Sequence, residues 1–560
     1  MKILVYALGG LGENGKNMYV IEADEQIFIF DAGIKYPTSE MFGVDKIIPD
    51  YRTLLTRKER IKGIFLTHAH EDHIGAVPHV LKDLQVPVYA THFTMEILKE
   101  QLIEAGYNLD EYELMTVMQH STIKYGNVKI TFFKTTHSIP ESIGIAVQTL
   151  DGTIVYTSDF TFDQNTDLNY QTDYQKIAEI ADKDILLLMT ESISSGISLD
   201  GKMNYMLDQQ ITQVIGKATD RVIVSLFSSD LLKIQKVIDI ALKYDKRIAI
   251  IGRKAQRIVD IAIRMNYLTI PEDRLTTLRF IDEKNKNDDP DLVCLVTGDR
   301  HEPFHMLNRM VKKADRLIHI NENDTILVVT SPIPGTEKMA AKTLDTLYRT
   351  DASVHVIDKK YLTFNHATSN EIKLMISLLK PKYIMPVIGE YRMLHQVSLL
   401  AKEMGYADNE LFILDNGDAL RLENQRAIIQ TNRFRVGDVL IDGLPVGDIN
   451  DIVIHDRELL AENGVLIITS HIDPKKREIV GDISIMMKGF VPDSTVKDLE
   501  EPLKNLFKET CETYFENNYI NWNDLKILIR DEINKFLYKE TRRRPITIPV
   551  VISTEVGMKE

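Results

Sequence analysis

Thr67-His68-Ala69-His70-Glu71-Asp72-His73 is the stretch from which this chain is best read. Three histidines and an aspartate crowd into residues 68–73, directly after the apolar run Ile61-Lys62-Gly63-Ile64-Phe65-Leu66-Thr67, which reads as a buried strand. A tight loop of this spacing aims His68 and His70 at one cation, and Asp72 with His73 at a neighbouring one. Imidazole and carboxylate suit zinc or manganese, and ions sharing ligands at short range activate a bridging hydroxide. A solvated polar loop rarely gathers four ligand-bearing side chains in this way.

Two more ligands stand at strand ends further on. Thr135-Thr136-His137-Ser138 places His137 after the alternating run Val128-Lys129-Ile130-Thr131-Phe132-Phe133, and Tyr156-Thr157-Ser158-Asp159 places a carboxylate where it can bridge two ions. A single His or Asp in such a place is usually structural; the cluster at 68–73 is what turns these into ligands. Asp31, ending Ile27-Phe28-Ile29-Phe30, reads as a group that orients ligands from behind.

Composition narrows the rest. At 560 residues and 44% hydrophobic, the chain is sized for three or four domains with real cores. Two cysteines, Cys294 and Cys511, exclude a disulfide framework and a zinc finger, so histidines and carboxylates must hold any metal. No apolar run reaches membrane-spanning length, and Met1-Lys2-Ile3-Leu4-Val5-Tyr6-Ala7 reads as a first strand rather than a signal peptide; the expectation is a cytoplasmic chain with no membrane partner. A net charge of −15 argues against diffuse nucleic-acid binding but leaves room for a locally basic groove.

Along the chain the texture changes. Over the first 190 residues strands outnumber helices; from 204 to 361 regular strand-helix units such as Arg221-Val222-Ile223-Val224-Ser225 predict a parallel three-layer domain. Turn-rich β character, with Gly437-Asp438, Asp442-Gly443 and Val446-Gly447-Asp448, begins at 424, and the last hundred residues read as strand, long charged helices and a final strand. Leu499, Leu503, Leu506 and Phe507 recur at helical spacing over 498–517, an ordinary core pattern. Arg542-Arg543-Arg544 reads as a solvated face, Tyr519 and Trp522 as aromatic core, and His79, His92, His120 and His395 as structural.

The ligand pattern and the insertion that follows it are similar to the metallo-β-lactamase superfamily and its β-CASP branch. Within that branch four segments resemble ribonuclease J: residues 7–18 (Ala-Leu-Gly-Gly-Leu-Gly-Glu-Asn-Gly-Lys-Asn-Met), Ser331-Pro332-Ile333-Pro334-Gly335, Leu378-Leu379-Lys380-Pro381-Lys382-Tyr383, and Arg543 through Val550. The resemblance runs nearly end to end. It implies an α/β protein: a metallo-β-lactamase αββα sandwich from residues 1–200 and 362–425, a three-layer β-CASP α/β domain at 201–361, a linker at 426–460 and a small α+β C-terminal domain at 461–560. It also implies RNA as substrate, cut internally and 5′→3′ from monophosphorylated ends. His68, His70, His137 and Asp159 would hold one metal, and Asp72, His73 and Asp159 a second. Glu191 would be the acidic β-CASP residue. Asp72 would serve in generating the hydroxide, and His366 would contact the phosphate and assist proton transfer.

The departures from the family pattern are as informative. Its last metal ligand is the histidine of Pro-Val-His-Gly-Glu-Tyr-Arg, whereas this chain has Pro386-Val387-Ile388-Gly389-Glu390-Tyr391-Arg392, which weakens the second ion. The phosphate-binding His-Val-Ser-Gly-His becomes Leu362-Thr363-Phe364-Asn365-His366, losing two hydrogen-bond donors. In the β-CASP part Ser229 is kept, but Asp230 and Leu232 replace Asn and His, and Asp299, before Arg300, stands where the family tends to have Ser. The pattern resembles the poorly active second paralogue of Gram-positive bacteria, so the expectation is a weakly active ribonuclease that pairs with an active paralogue or forms a homodimer. The alternative is a non-catalytic subunit.

Overall fold

A computed structural model describes residues 1–38, 41, 43–163, 167–198, 203–278, 290–298, 302–333, 336–358, 361–362, 365–443, 451–516 and 520–553. Of the positions singled out above, Asp299, Arg300, Pro334, Gly335, Thr363, Phe364, Tyr519 and residues 446–448 lie outside the described residues. The chain divides into two compact units, Met1–Thr38 with Asp45–Val446, and Ser39–Val44 with Gly447–Glu560.

In the first unit two mixed sheets stack face to face. One runs in the order Arg426–Gln430, Ala419–Glu423, Lys2–Gly9, Met18–Ala23, Gln26–Phe30, Ile61–Phe65, Val88–Ala90, Leu114–Thr116; the other runs Tyr383–Pro386, Ile185–Thr190, Gly152–Tyr156, Ile143–Thr149, Val128–Lys134, Thr122–Tyr125. Val5, Phe28, Phe30 and Phe65 of one meet Ile130, Phe132, Ile145 and Tyr156 of the other. Helices Val77–Leu84 and His92–Glu104 cover one outer face; Tyr174–Ala181, Ser369–Leu379 and Tyr391–Glu403 cover the other. Covered on both faces, a central strand such as Ile185–Thr190 is buried throughout and carries no polar alternation.

A long insertion leaves after Ile185–Thr190 and the chain returns to Tyr383–Pro386, which pair in parallel as neighbours. Its six parallel strands run in the order Leu275–Thr276, Arg247–Ile251, Leu292–Gly298, Val222–Phe227, Thr325–Val328, Ser353–Val356. Helices on both faces complete the three layers. The return beside the point of departure brings the ends of two sandwich strands together, and there lie Glu191 and Ile388.

The stretch expected as a linker carries structure of its own. Arg426–Gln430 closes the edge of the first sheet, and Asp438–Ile441 pairs antiparallel with Lys46–Pro49. A pairing partner almost 400 positions away leaves no local trace in the sequence. In the second unit, strand Val465–Asp473 pairs antiparallel with Glu478–Lys488 and parallel with Ile546–Ser553. Helices Asp493–Phe515 and Trp522–Thr541 pack on this sheet through Leu499, Leu503, Phe507, Leu525 and Ile529, with Trp522 partly buried against the same core. The first helix starts earlier than the 498 read from spacing.

His79, on helix Val77–Leu84, makes a test of acid stability away from the ligand cluster. Its Nε2 is buried without a hydrogen-bond partner among the described residues. Burial, and then Lys46 and Lys82, hold its pKa down to about 4. The unfolded chain therefore binds the extra proton first, and stability falls as pH drops from about 6.5 toward 4. His79→Gln is expected to flatten this limb of a melting-temperature profile; an unchanged slope would place the acid sensitivity elsewhere.

Candidate metal centre

Every ligand-bearing loop leaves the same edge of the sandwich. His68, His70, Asp72 and His73 follow strand Ile61–Phe65, Asp31 follows Gln26–Phe30, His137 follows Val128–Lys134, and Asp159 follows Gly152–Tyr156. Four donor atoms converge. His70 Nδ1 lies 3.1 Å from His68 Nε2 and 3.1 Å from His137 Nε2, and Asp159 Oδ2 lies 3.5 Å from His68 Nε2 and 3.6 Å from His137 Nε2. These four residues form a cluster close enough to hold a metal ion.

Each imidazole is held from behind, which selects the nitrogen facing inward. Thr67 donates its hydroxyl to Asp31 and accepts from His68 Nδ1 at 3.0 Å. His70 Nε2 donates to the Ser229 carbonyl at 3.1 Å, and His137 Nδ1 to the Asn365 carbonyl at 2.7 Å. Ser229 thus acts through its backbone, from the turn after strand Val222–Phe227. Burial first, then the neighbouring imidazoles, holds the pKa of His68 and His137 well below the ordinary value; burial also lowers that of His70. All three are therefore neutral, the form a cation requires. Asp159 is fully ionised despite its burial because His366 and His73 lower its pKa, and its Oδ1 is buried without a hydrogen-bond partner among the described residues. Three neutral imidazoles and a carboxylate with a spare oxygen fit a divalent cation.

Asp72 and His73 stand beside this set. His73 Nε2 is 3.6 Å from Asp72 Oδ2 and 3.5 Å from Asp159 Oδ2, and its Nδ1 donates to Asp31 at 2.9 Å. Asp31 also takes the Thr67 backbone N–H and the Tyr156 hydroxyl. Burial disfavours charge on His73, but Asp72, Asp31 and Asp159 raise its pKa well above the usual value. The loop fits without room to spare: a Cβ on Gly33 would fall 1.5 Å from the Asp72 carbonyl oxygen.

Glu191 is a buried bracket rather than an open acid. One oxygen accepts the N–H groups of Phe160 and Ala367, and the other accepts His366 Nδ1 at 2.9 Å. His366, a quarter exposed, also has Nδ1 3.8 Å from Asp159 Oδ1; Asp159, Glu191 and His366 form a second convergent group.

Of the residues matched to the family's phosphate loop, Leu362 is buried in the apolar core. Asn365 donates to Asp230 at 2.9 Å. Asp230, which replaces the family's Asn, caps helix Leu231–Lys243 and pairs with Lys233 at 2.5 Å. Ile388 is fully buried with φ +54°, a left-handed conformation rare for a β-branched residue. Its N–H lies 3.1 Å from both the Gly10 carbonyl and the Tyr19 hydroxyl.

Asn17, within the glycine-rich run of residues 7–18, also stands at the centre. Asn17 is fully buried, and its amide nitrogen lies 3.2 Å from Asp72 Oδ2 and 3.2 Å from His73 Nε2.

Stacked sheets, strand-end His and Asp ligands and a parallel-sheet insertion between adjacent strands define a metallo-β-lactamase-fold, metal-dependent hydrolase of the β-CASP type. Residues 28–186 match the beta-lactamase superfamily domain, 219–347 the ribonuclease J beta-CASP domain and 452–554 the ribonuclease J C-terminal domain. The chain is 36% identical over 554 residues to Ribonuclease J2 of Bacillus subtilis (strain 168), and 36% identical over 550 residues to Ribonuclease J 2 of Staphylococcus aureus (strain MRSA252), covering 98% of each chain in both cases. It belongs to the ribonuclease J family. A solved structure of a protein of unknown function from Enterococcus faecalis V583 shares the fold, with TM-score 0.53 and 14% identity over 75% of this chain and 100% of that one. No helix among the described residues is long and apolar enough to cross a membrane.

Proposed function

We propose that the chain hydrolyses RNA phosphodiesters, internally and from 5′-monophosphorylated ends, with zinc or manganese held by His68, His70, His137 and Asp159. It does so slowly and works beside a fully liganded ribonuclease J paralogue in a cytoplasmic complex. The observation that carries the catalytic part is the convergence of His68 Nε2, His70 Nδ1, His137 Nε2 and Asp159 Oδ2, each imidazole anchored from behind. Weakness follows from Ile388: Asp72, His73 and the shared Asp159 would hold a second ion one family ligand short.

When bound, a divalent cation here supplies a Lewis acid for the phosphate and activates water at neutral pH. The chain's own groups divide the remaining work. Asp72, about one-third exposed, is the group placed to accept a proton from the attacking water. His366 turns Nδ1 to Glu191, which leaves Nε2 to meet the phosphate or protonate the leaving oxygen. Lys233, held at 2.5 Å by Asp230, is a cation of the β-CASP side near the same place.

Cleavage of a 5′-monophosphorylated RNA by the purified full chain, with manganese or zinc supplied, tests the reading. Wild type is expected to cut slowly, Asp72→Ala to lose about 10²–10⁴-fold, and Ile388→His to gain about tenfold at limiting metal. Equal rates for wild type and Asp72→Ala would leave the second reading, a non-catalytic subunit whose metal braces the fold. Burial of apolar Ile388 and Leu362 on the catalytic side is what favours that alternative.

A further inference from the structure

Two of the three imidazoles that face the first cation are braced by one turn of the β-CASP domain. Residues 228–230 follow strand Val222–Phe227 and lead into helix Leu231–Lys243. The Ser229 carbonyl accepts His70 Nε2 at 3.1 Å, and the Leu232 N–H donates to the carbonyl of Ser138, next to His137, at 3.2 Å. A third contact is indirect. Asp230 Oδ2 accepts the Asn365 amide N–H at 2.9 Å, and the Asn365 backbone carbonyl accepts His137 Nδ1 at 2.7 Å. A strut of two hydrogen bonds, joined through Asn365, thus runs from the helix start to the metal-facing ring.

The two oxygens of Asp230 serve different ends. Oδ1 accepts the Lys233 backbone N–H at 3.1 Å, which by itself caps the helix. Oδ2 takes the Asn365 amide and, at 2.5 Å, the Lys233 ammonium. Burial opposes the charge of Asp230, yet Lys233 and Asn365 hold its pKa below the ordinary carboxylate value. It is therefore an ionised acceptor, which makes the bond to Asn365 about twice as strong as one between neutral groups. Lys233 Nζ also reaches Asn365 Oδ1 at 3.5 Å, so the amide is gripped at both ends.

The hydrogen bond behind a metal ligand fixes the ring's orientation and the nitrogen it offers; losing such a partner lowers metal affinity about 10–100-fold. For His137 that partner is a backbone carbonyl, which a substitution can displace but not delete. Its place follows Asn365, and the Asn365 side chain is tied to Asp230 and Lys233. We propose that Asp230 is a positioning residue of the metal centre: acting through Asn365, it holds the carbonyl that orients His137, so that the β-CASP turn sets the affinity of the first cation. This rests on the cation site proposed above and extends its control from the four ligands to a residue of the insertion.

The test is manganese affinity, read without RNA. Metal-free full-length chain is titrated with manganese chloride, free Mn²⁺ is followed by its paramagnetic resonance signal, and the tighter site is compared among variants. Asp230→Ser keeps a side-chain oxygen for the cap but is too short for Asn365. Asn365→Ala keeps the carbonyl and removes the amide. Each is expected to weaken the tighter ion about tenfold, and the two together also about tenfold, because both cut the same strut. A merely structural role predicts a lower melting temperature of the metal-free chain with unchanged affinity, and that result would overturn the proposal. So would additive effects, about hundredfold in the double variant, since Asp230 would then act by another route. If Asp230→Ser fails to fold, an unchanged affinity in Asn365→Ala overturns it equally. Each of these leaves the proposed function standing, whereas wild type that binds no manganese would remove both readings.

Discussion

His137→Ala is expected to reduce RNA cleavage by about 10³-fold or more, the effect of removing a Lewis acid worth several kcal/mol to the transition state. Nε2 of this residue sits 3.1 Å from His70 Nδ1 and 3.6 Å from Asp159 Oδ2, so its loss breaks the set at its centre. A second cost accompanies it: the Asn365 carbonyl, which accepts Nδ1 at 2.7 Å, is left without that donor, a loss of about 1–3 kcal/mol for a buried group. That carbonyl belongs to the segment by which the chain returns from the β-CASP domain, so His137 links metal to insertion as well as to the sandwich. The variant should stay folded but bind the first manganese far more weakly, measured by titration beside single-turnover cleavage. Retention of more than a tenth of the wild-type rate would mean that the cleavage chemistry does not depend on these four ligands.

The sequence made much of this centre legible for a physical reason. His68, His70, His137 and Asp159 each lie three to five residues beyond a strand whose apolar run is unmistakable, and strand ends are where a stacked-sheet fold gathers its loops. Ile388 was visible because a family motif supplied the contrast. What was not legible depends on angles and on distant partners. Asn17 sits in a glycine-rich loop and looked like backbone scenery; its bond to Asp72 spans 55 positions. The positive φ of Ile388 has no signature in composition. Asp230 pairs with Lys233 one turn along the same helix, a three-residue spacing that the sequence displays. The strand Asp438–Ile441 leaves no local signature because its partner, Lys46–Pro49, is remote and short.

The other large effect is expected at Glu191 and His366. Burial opposes a charge on His366, yet the carboxylates of Glu191, Asp159 and Asp72 hold its pKa up to about 9. Glu191 in turn is pushed up to about 7 by burial, against the pull of His366 and the Phe160 N–H. In the metal-free chain both groups hold protons more tightly folded than unfolded. Their stabilising contributions are therefore present at low pH, Glu191's being lost as pH rises through about 7 and His366's as it rises through about 9. Glu191→Gln removes the charge and sets a conflict: one oxygen cannot both receive the N–H groups of Phe160 and Ala367 and face His366 Nδ1. If the oxygen stays with the backbone, the amide N–H₂ meets Nδ1, which must then accept, so the imidazole is held neutral and its Nε2–H is a far weaker acid. The alkaline limb of the cleavage profile should move down by at least a pH unit, with a loss of about twofold or more at pH 8. His366→Ala should lose about 10²–10⁴-fold with no such limb left to move. A purely structural bracket would instead lower the rate equally at every pH, so an unshifted profile in Glu191→Gln would assign proton transfer to another group.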